Sequence, residues 1–423
     1  MLVQALYNIV DSIFVAQINE NALTAVTLAF PMQNLIIALA SGTGVGVNSI
    51  LSRALGEKKY DKSDAAANSA VLLSFVNYII FLVIGILLSK SFIKSQTSVP
   101  EIIEYGETYL GIVSTLSIGV FFQVTFERLL QSTGRTFYSM ISQMTGAIIN
   151  IIMDPILIFG LLGFPKLGVA GAAYATIFGQ VIASLLGLYM NVKFNKDINL
   201  SFKLVFKPQF EVIKEIYVVG IPSVLMMSIG SIMTYAMNKI LIGFSTTATA
   251  VFGVYFKLQS FFFMPIFGLN NGVIPVIAYN YGARKRDRIK EALNFAFMLA
   301  LSIMIVGMLI FELVPGVLLR LFNASEDMIV IGEPALRIIA IHFPLAALSI
   351  VMGSVFQAFA KSIYSLIVSV ARQLAVLIPV AWLLSLSGNL NLVWLSFPIA
   401  EVVSLTVSFI FYKKVHKEIV DTL

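Results

Sequence analysis

The sequence predicts an all-α polytopic membrane protein: twelve transmembrane helices in two pseudo-symmetric six-helix lobes, with the first helix N-terminally truncated. Three observations carry this expectation. Of 423 residues, 58% are hydrophobic and 12% charged, whereas a soluble chain carries about twice that charged fraction. Apolar runs of about 20 residues, long enough to cross a bilayer as helices, recur along the chain. The two halves also repeat each other at one fixed offset.

The predicted spans cover roughly 1–17, 23–52, 66–89, 106–126, 137–162, 168–192, 215–244, 248–279, 291–314, 334–357, 363–386 and 391–412. Loops after the even-numbered spans hold Arg53, Lys58, Lys59 and Lys62, then Arg128 and Arg135, then Lys193, Lys196, Lys203, Lys207 and Lys214. Arg284, Lys285, Arg286, Arg288, Lys290 and Lys361 follow, with Lys413, Lys414 and Lys417 in the tail. The opposite loops carry Lys90, Lys94, Lys166 and Arg320. Positive charge gathers on the cytoplasmic side, so the even loops and both termini are expected there, in a cell membrane. The pI near 9.2 is then a sign of topology and not of a nucleic-acid partner.

At an offset of 226 residues, Phe30 falls on Phe256, Gln33 on Gln259, Gly42 on Gly268, Gly46 on Gly272, Gly56 on Gly282 and Asp61 on Asp287. QSTGRTFYS at 131–139 lies over QAFAKSIYS at 357–365. Such self-similarity marks an internal repeat. The lobes are 1–192 and 215–423, joined by the basic linker 193–214. Six helices per lobe leave both in one orientation, related by an axis along the membrane normal, with a substrate path expected between them. Projected back, the Gly220-Ile221-Pro222 helix has a counterpart that would start about ten residues before Met1, so a missing N-terminal segment is expected.

Composition also excludes chemistry. There is no cysteine, hence no disulfide and no thiolate metal site. His342 and His416 lie too far apart in sequence to suggest a histidine zinc site. GTGVG at 42–46 sits inside a membrane helix, and with its echo at Gly268 and Gly272 it reads as close helix packing. No Walker motif and no catalytic constellation are present, so neither an ATP-driven pump nor an enzyme is expected, and no cofactor.

The chemistry lies in buried oxygens. Asp154, followed by Pro155, sits in the greasy run NIIMDPILIFG about 12 Å below the outer end of span 5. Asp11 in span 1 lies about 9 Å below its own end, and Thr176 in span 6 about 12 Å deep. Asn150 shares a helix face with Asp154, as do Tyr7 and Asn8 with Asp11. Pro155 cannot donate to the carbonyl of Ile151, which frees an acceptor. Two carboxylates, an amide, a hydroxyl and a carbonyl at one depth suit reversible occupancy by a proton or by Na⁺, with Asp11, Asn150 and Asp154 as ligands if the ion is Na⁺. Packing alone is the alternative role, and for Thr176 a bond to its own helix backbone weighs about as much.

With ALYNIVDSIFV, FPMQ, GTGVGVNSILSRALGEKK, NIIMDP and GVAGAAYAT in view, the chain resembles the multidrug and toxic compound extrusion (MATE) transporters, in the branch of the DinF-like and MepA-like exporters. The resemblance spans essentially the whole chain. It implies two six-helix lobes and export of amphipathic, often cationic drugs against H⁺ or Na⁺. It also implies that Asp11, Asn150, Asp154 and Thr176 form the coupling cluster, with Gln33 in a supporting place. Another branch has acids in helices 7 and 10, where this chain has Asn238-Lys239 and His342.

Aromatic and methionine-rich spans 7 and 8 suit a permissive cavity, with Lys239, Tyr255, Phe256, Lys257 and Gln259 as its expected lining. Lys239 has an alternative, snorkelling to the interface. Arg372 and Glu401 are expected to form a structural ion pair. The chain is expected to work as a monomer in the lipid bilayer, on small molecules and not on nucleic acid. The alternative function is a lipid or oligosaccharide-lipid flippase, which Lys239 and Lys257 favour.

Overall fold

The structure, a computed structural model, describes residues 10–11, 13–322 and 324–422. These are overwhelmingly helical and contain no strand. The long helices are α1 (Glu20–Gly56), α2 (Tyr60–Lys94), α3 (Pro100–Thr115), α4 (Ile118–Ser132), α5 (Thr136–Phe159), α6 (Val169–Phe194) and α7 (Phe210–Ile242). They continue as α8 (Thr246–Gly282), α9 (Arg286–Leu313), α10 (Glu326–Ala340), α11 (Phe343–Ala358), α12 (Ser362–Ser385) and α13 (Leu390–Val420). Among the described residues nine helices are long and apolar enough to cross a membrane, and the bent pairs α3–α4 and α10–α11 bring the spans to eleven. The helical residues 10–11 and 13–16 belong to the first of the twelve.

Spans 4 and 10, expected to be single helices, are bent by 44° and 47°. Pro344 in the first turn of α11 explains the second bend, since proline cannot donate to the preceding turn. The first bend falls at the matching place in the repeat, without a proline. Span 4 also runs six residues beyond its expected end at 126, to Ser132.

Local geometry repeats at the offset found in the sequence. Helices α1 and α8 are both 37 residues long, with both ends 226 positions apart. Their N-caps, Asn19 and Ser245, each accept from the backbone N–H three residues on, at 2.7 and 3.0 Å. Lys58 and Arg284 both take left-handed φ values of 58° and 54°, and Gly134 and Ala360 of 76° and 58°. Left-handed backbone is unfavourable for side chains other than glycine, so its recurrence at one offset reflects shared architecture.

The chain separates into two compact units, Met1–Val224 and Leu225–Leu423, divided within α7 just after Pro222. In the first unit, Val15 packs with Ala22, Ala29, Tyr109, Ile158, Val169 and Ala172, which ties helical residues 13–16 to α1, α3, α5 and α6. Gly42 and Gly46 lie against the start of α7: an added Cβ would stand 2.4 Å from Val224 Cγ2 and 2.2 Å from the carbonyl oxygen of Ile216. The echo in the second unit behaves differently. A Cβ on Gly272 would meet nothing within 4 Å, so close packing explains the first glycine pair and not Gly272.

The tightest approach that bears on function is between α5 and α6. A Cβ on Gly179 would stand 2.6 Å from the carbonyl oxygen of Gly146, and one on Gly171 2.5 Å from that of Leu157. Small residues let the two backbones touch. Gly179→Ala is therefore expected to destabilise the protein by about 1–3 kcal/mol through overpacking. Thermal unfolding of the detergent-solubilised protein checks this; an unchanged midpoint would mean that the helices separate freely.

Candidate functional site

The α5–α6 contact sets the site. Asn150 and Asp154 stand one turn apart on the face of α5 that meets α6, 3% and 0% exposed. Thr176, also buried, faces them from α6. Asn150 Nδ2 reaches both Asp154 Oδ1 and Thr176 Oγ1, each at 3.4 Å. Asp11 is held by the packing of Val15, one turn further along the first helix, and is likewise buried. Val15 and Ile158, each one turn beyond its carboxylate, share one core cluster, which draws the Asp11 and Asp154 faces of the two helices together.

Among the described residues, one oxygen on each of three side chains lacks a hydrogen-bond donor: Asp11 Oδ1, Asn150 Oδ1 and Asp154 Oδ2. Buried acceptors of this kind are normally satisfied, and an unpaired buried carboxylate is costly. Three orphan oxygens on neighbouring side chains form a set with affinity for a proton or a small hard cation. The amide donates its own N–H to Asp154 and Thr176, so its oxygen stays available. Among the described residues no three His, Cys, Asp or Glu side chains converge, so any metal ion here would draw on two carboxylates and neutral oxygens. Pro155 is half-buried inside α5, beside Asp154.

The remaining expected residues fall elsewhere. Tyr7 and Asn8 lie outside the described residues. Gln33 donates to the hydroxyl of Tyr109 at 3.1 Å. In the second unit, Tyr255 is 1% exposed and stacks among Phe252, Phe256, Phe311 and Phe397, so it belongs to the packed aromatic core and not to an open wall. Phe256 and Gln259 are half-buried, and Lys257 is exposed. Lys239 is exposed, with its ammonium 5.7 Å from the ring centre of Tyr235, as a snorkelling lysine would be. The repeat places Met237, Val376, Val380 and Val402 at the positions of Asp11, Asn150, Asp154 and Thr176. All four are apolar, so the oxygen cluster belongs to the first unit alone.

Glu127 was absent from the expected set. It is 5% exposed on α4, accepting from Gln123 Nε2 at 2.9 Å and Gln143 Nε2 at 3.4 Å. Its neighbour Arg128, expected in a loop, is equally buried and donates to Gln131 Oε1 at 3.0 Å. Ending span 4 at 126 had put both in water. The Gln123–Glu127 spacing of one turn was the available signal. Gln143, which joins Glu127 of α4 to α5, lies two turns before Asn150 on α5, with Gly146 and Ala147 between them.

Comparison with known proteins finds relatives that align over nearly the whole chain. The MatE family model matches residues 1–156 and 222–383. The chain is 30% identical over 427 aligned residues to the multidrug export protein MepA of Staphylococcus haemolyticus, covering 99% of this chain and 92% of that one. It is 26% identical to the probable multidrug resistance protein YoeA of Bacillus subtilis, over 94% of this chain and 87% of the relative. Among solved structures, a multidrug resistance MATE family transporter of the MOP superfamily in an outward-facing conformation superposes with a TM-score of 0.93 at 26% identity, covering all of this chain and 94% of the other.

Proposed function

The chain belongs to the MatE family, and from that premise we propose that it is a secondary multidrug exporter, moving amphipathic, often cationic organic compounds out of the cell against H⁺ or Na⁺. The observation that carries the coupling is the trio of orphan oxygens on Asp11, Asn150 and Asp154. A site that must gain and lose an ion cannot be saturated by protein donors, and this one is not. Ion and drug need only favour different conformations for one to drive the other. We place the chain in the cell membrane, and the distribution of Lys and Arg supports cytoplasmic termini.

The test is ethidium transport in proteoliposomes under an imposed pH gradient or an imposed Na⁺ gradient. One of the two gradients is expected to drive uphill transport, which also identifies the ion. Movement of ethidium with neither would overturn the antiport reading. The exposed Lys239 and Lys257 favour a second reading, lipid flipping. Translocation of a fluorescent phospholipid, with no ethidium transport, would establish it instead.

A further inference from the structure

The basic linker after α6 is held rigidly and still offers aromatic rings to its surroundings. Asn68 Nδ2 donates to the carbonyl of Asn199 at 2.8 Å, and Asn68 Oδ1 accepts from the N–H of Ser201 at 3.0 Å. Asp64 accepts from the N–H of Asn199 at 2.7 Å. Arg135 donates to the carbonyl of Phe194 at 2.8 Å and pairs with Asp197. These anchors sit in the first three turns of α2 and just before α5, so they fix the linker at the end of the first unit where α2 and α5 begin.

On this staple stands a short helix, Phe202–Val205. Phe202, Phe206 and Phe210 are 81%, 64% and 77% exposed, and the rings of Phe202 and Phe206 meet edge to face at 4.9 Å. Lys203 follows Phe202 and Lys207 follows Phe206 by one residue, whereas Glu211 follows Phe210. Among the described residues neither lysine has a salt-bridge partner. Lys207 borders a cleft of about 380 Å³ that also holds Asp61 and Asp64, which offset its charge; Lys196 and Lys203 are the freer cations. An exposed aromatic face beside an unpaired basic face is the chemistry of a segment lying in a membrane interface, its rings among acyl chains and its ammonium groups on headgroups.

We propose that residues 196–210 form an interfacial anchor that docks on anionic phospholipid, with Phe202 and Phe206 inserted below the headgroups and Lys196 and Lys203 on the phosphates. The proposal is independent of what the protein transports. The absence of native cysteine makes it directly testable: Phe206→Cys in the full chain takes a nitroxide label, and Phe202→Cys repeats the measurement at a second position. The labelled protein goes into nanodiscs of phosphatidylcholine alone or with phosphatidylglycerol. Access to dissolved oxygen is then compared with access to an aqueous nickel chelate, using Lys285→Cys on an exposed loop as the aqueous reference.

The expected result is oxygen-dominated access at 202 and 206, deeper with phosphatidylglycerol, and shallower when Lys196→Gln and Lys203→Gln are added. Native mass spectrometry of unlabelled protein should show retained phosphatidylglycerol that the double lysine variant loses. Nickel access equal to the loop reference in both lipids would overturn the proposal. So would protection seen only in native membranes and not in nanodiscs, which would indicate a protein partner.

Discussion

Cells carrying Asp154→Asn are expected to clear ethidium no faster than cells lacking the protein, at matched membrane expression. The substitution keeps the shape of the side chain and an oxygen that can accept from Asn150, removes the charge and turns the second acceptor into an N–H donor. Moving a two-state equilibrium from 1:99 to 99:1 requires about 5.5 kcal/mol of differential binding. In the proposed mechanism that difference comes from an ion held by Asp11 and Asp154, so an uncharged site couples nothing. Stability should hold or rise, because an unpaired carboxylate in an apolar interior is itself unfavourable. Lost efflux with an unchanged melting temperature supports coupling. Lost efflux with a lower melting temperature would make Asp154 a packing residue, and full efflux would place the coupling elsewhere.

The second large effect is expected at Arg372, and it is one of stability. Glu401 on α13 is 2% exposed, with Oε2 accepting from Arg372 Nη1 at 3.3 Å and Oε1 without a donor. Arg372 belongs to a π-helical stretch, Ala371–Leu377, where the first unit has regular α-helix. Arg372→Met would strand a buried carboxylate and is expected to cost about 3–5 kcal/mol. Adding Glu401→Gln should recover most of that loss, because a neutral amide no longer needs the guanidinium. Thermal melting of the two single variants and the double variant measures the coupling. Simple additivity would show that the pair contributes no mutual stabilisation.

Much of this architecture was legible in one dimension. Apolar runs mark what must avoid water, so spans two to twelve each fall on a helix or bent pair, with ends that differ by up to eight residues. The offset of 226 residues reappears in caps, helix ends and left-handed turns. Asp154, Asn150 and Thr176 stood out because polar side chains are expensive in hydrocarbon, and the structure places all three within one hydrogen-bonded group. The bends were harder to see, since hydropathy does not register a change of helix direction. Glu127 and Arg128 were missed because a polar pair near the end of an apolar run looks like the start of a loop.

What the sequence determined by itself is the class of the protein, its repeat, and which polar groups must find partners. Only the tertiary structure decided which partners they find. Gly146 and Gly179 bring α5 against α6 closely enough for Asn150 to reach Thr176. The rings of Phe252, Phe311 and Phe397 enclose Tyr255, while Phe202 and Phe206 stay exposed on a linker fastened by Asn68 and Asp64. The physical reason is that burial cost is a property of each residue, whereas hydrogen bonding and packing depend on distances between helices. Those distances are set by side-chain volumes far apart in the chain.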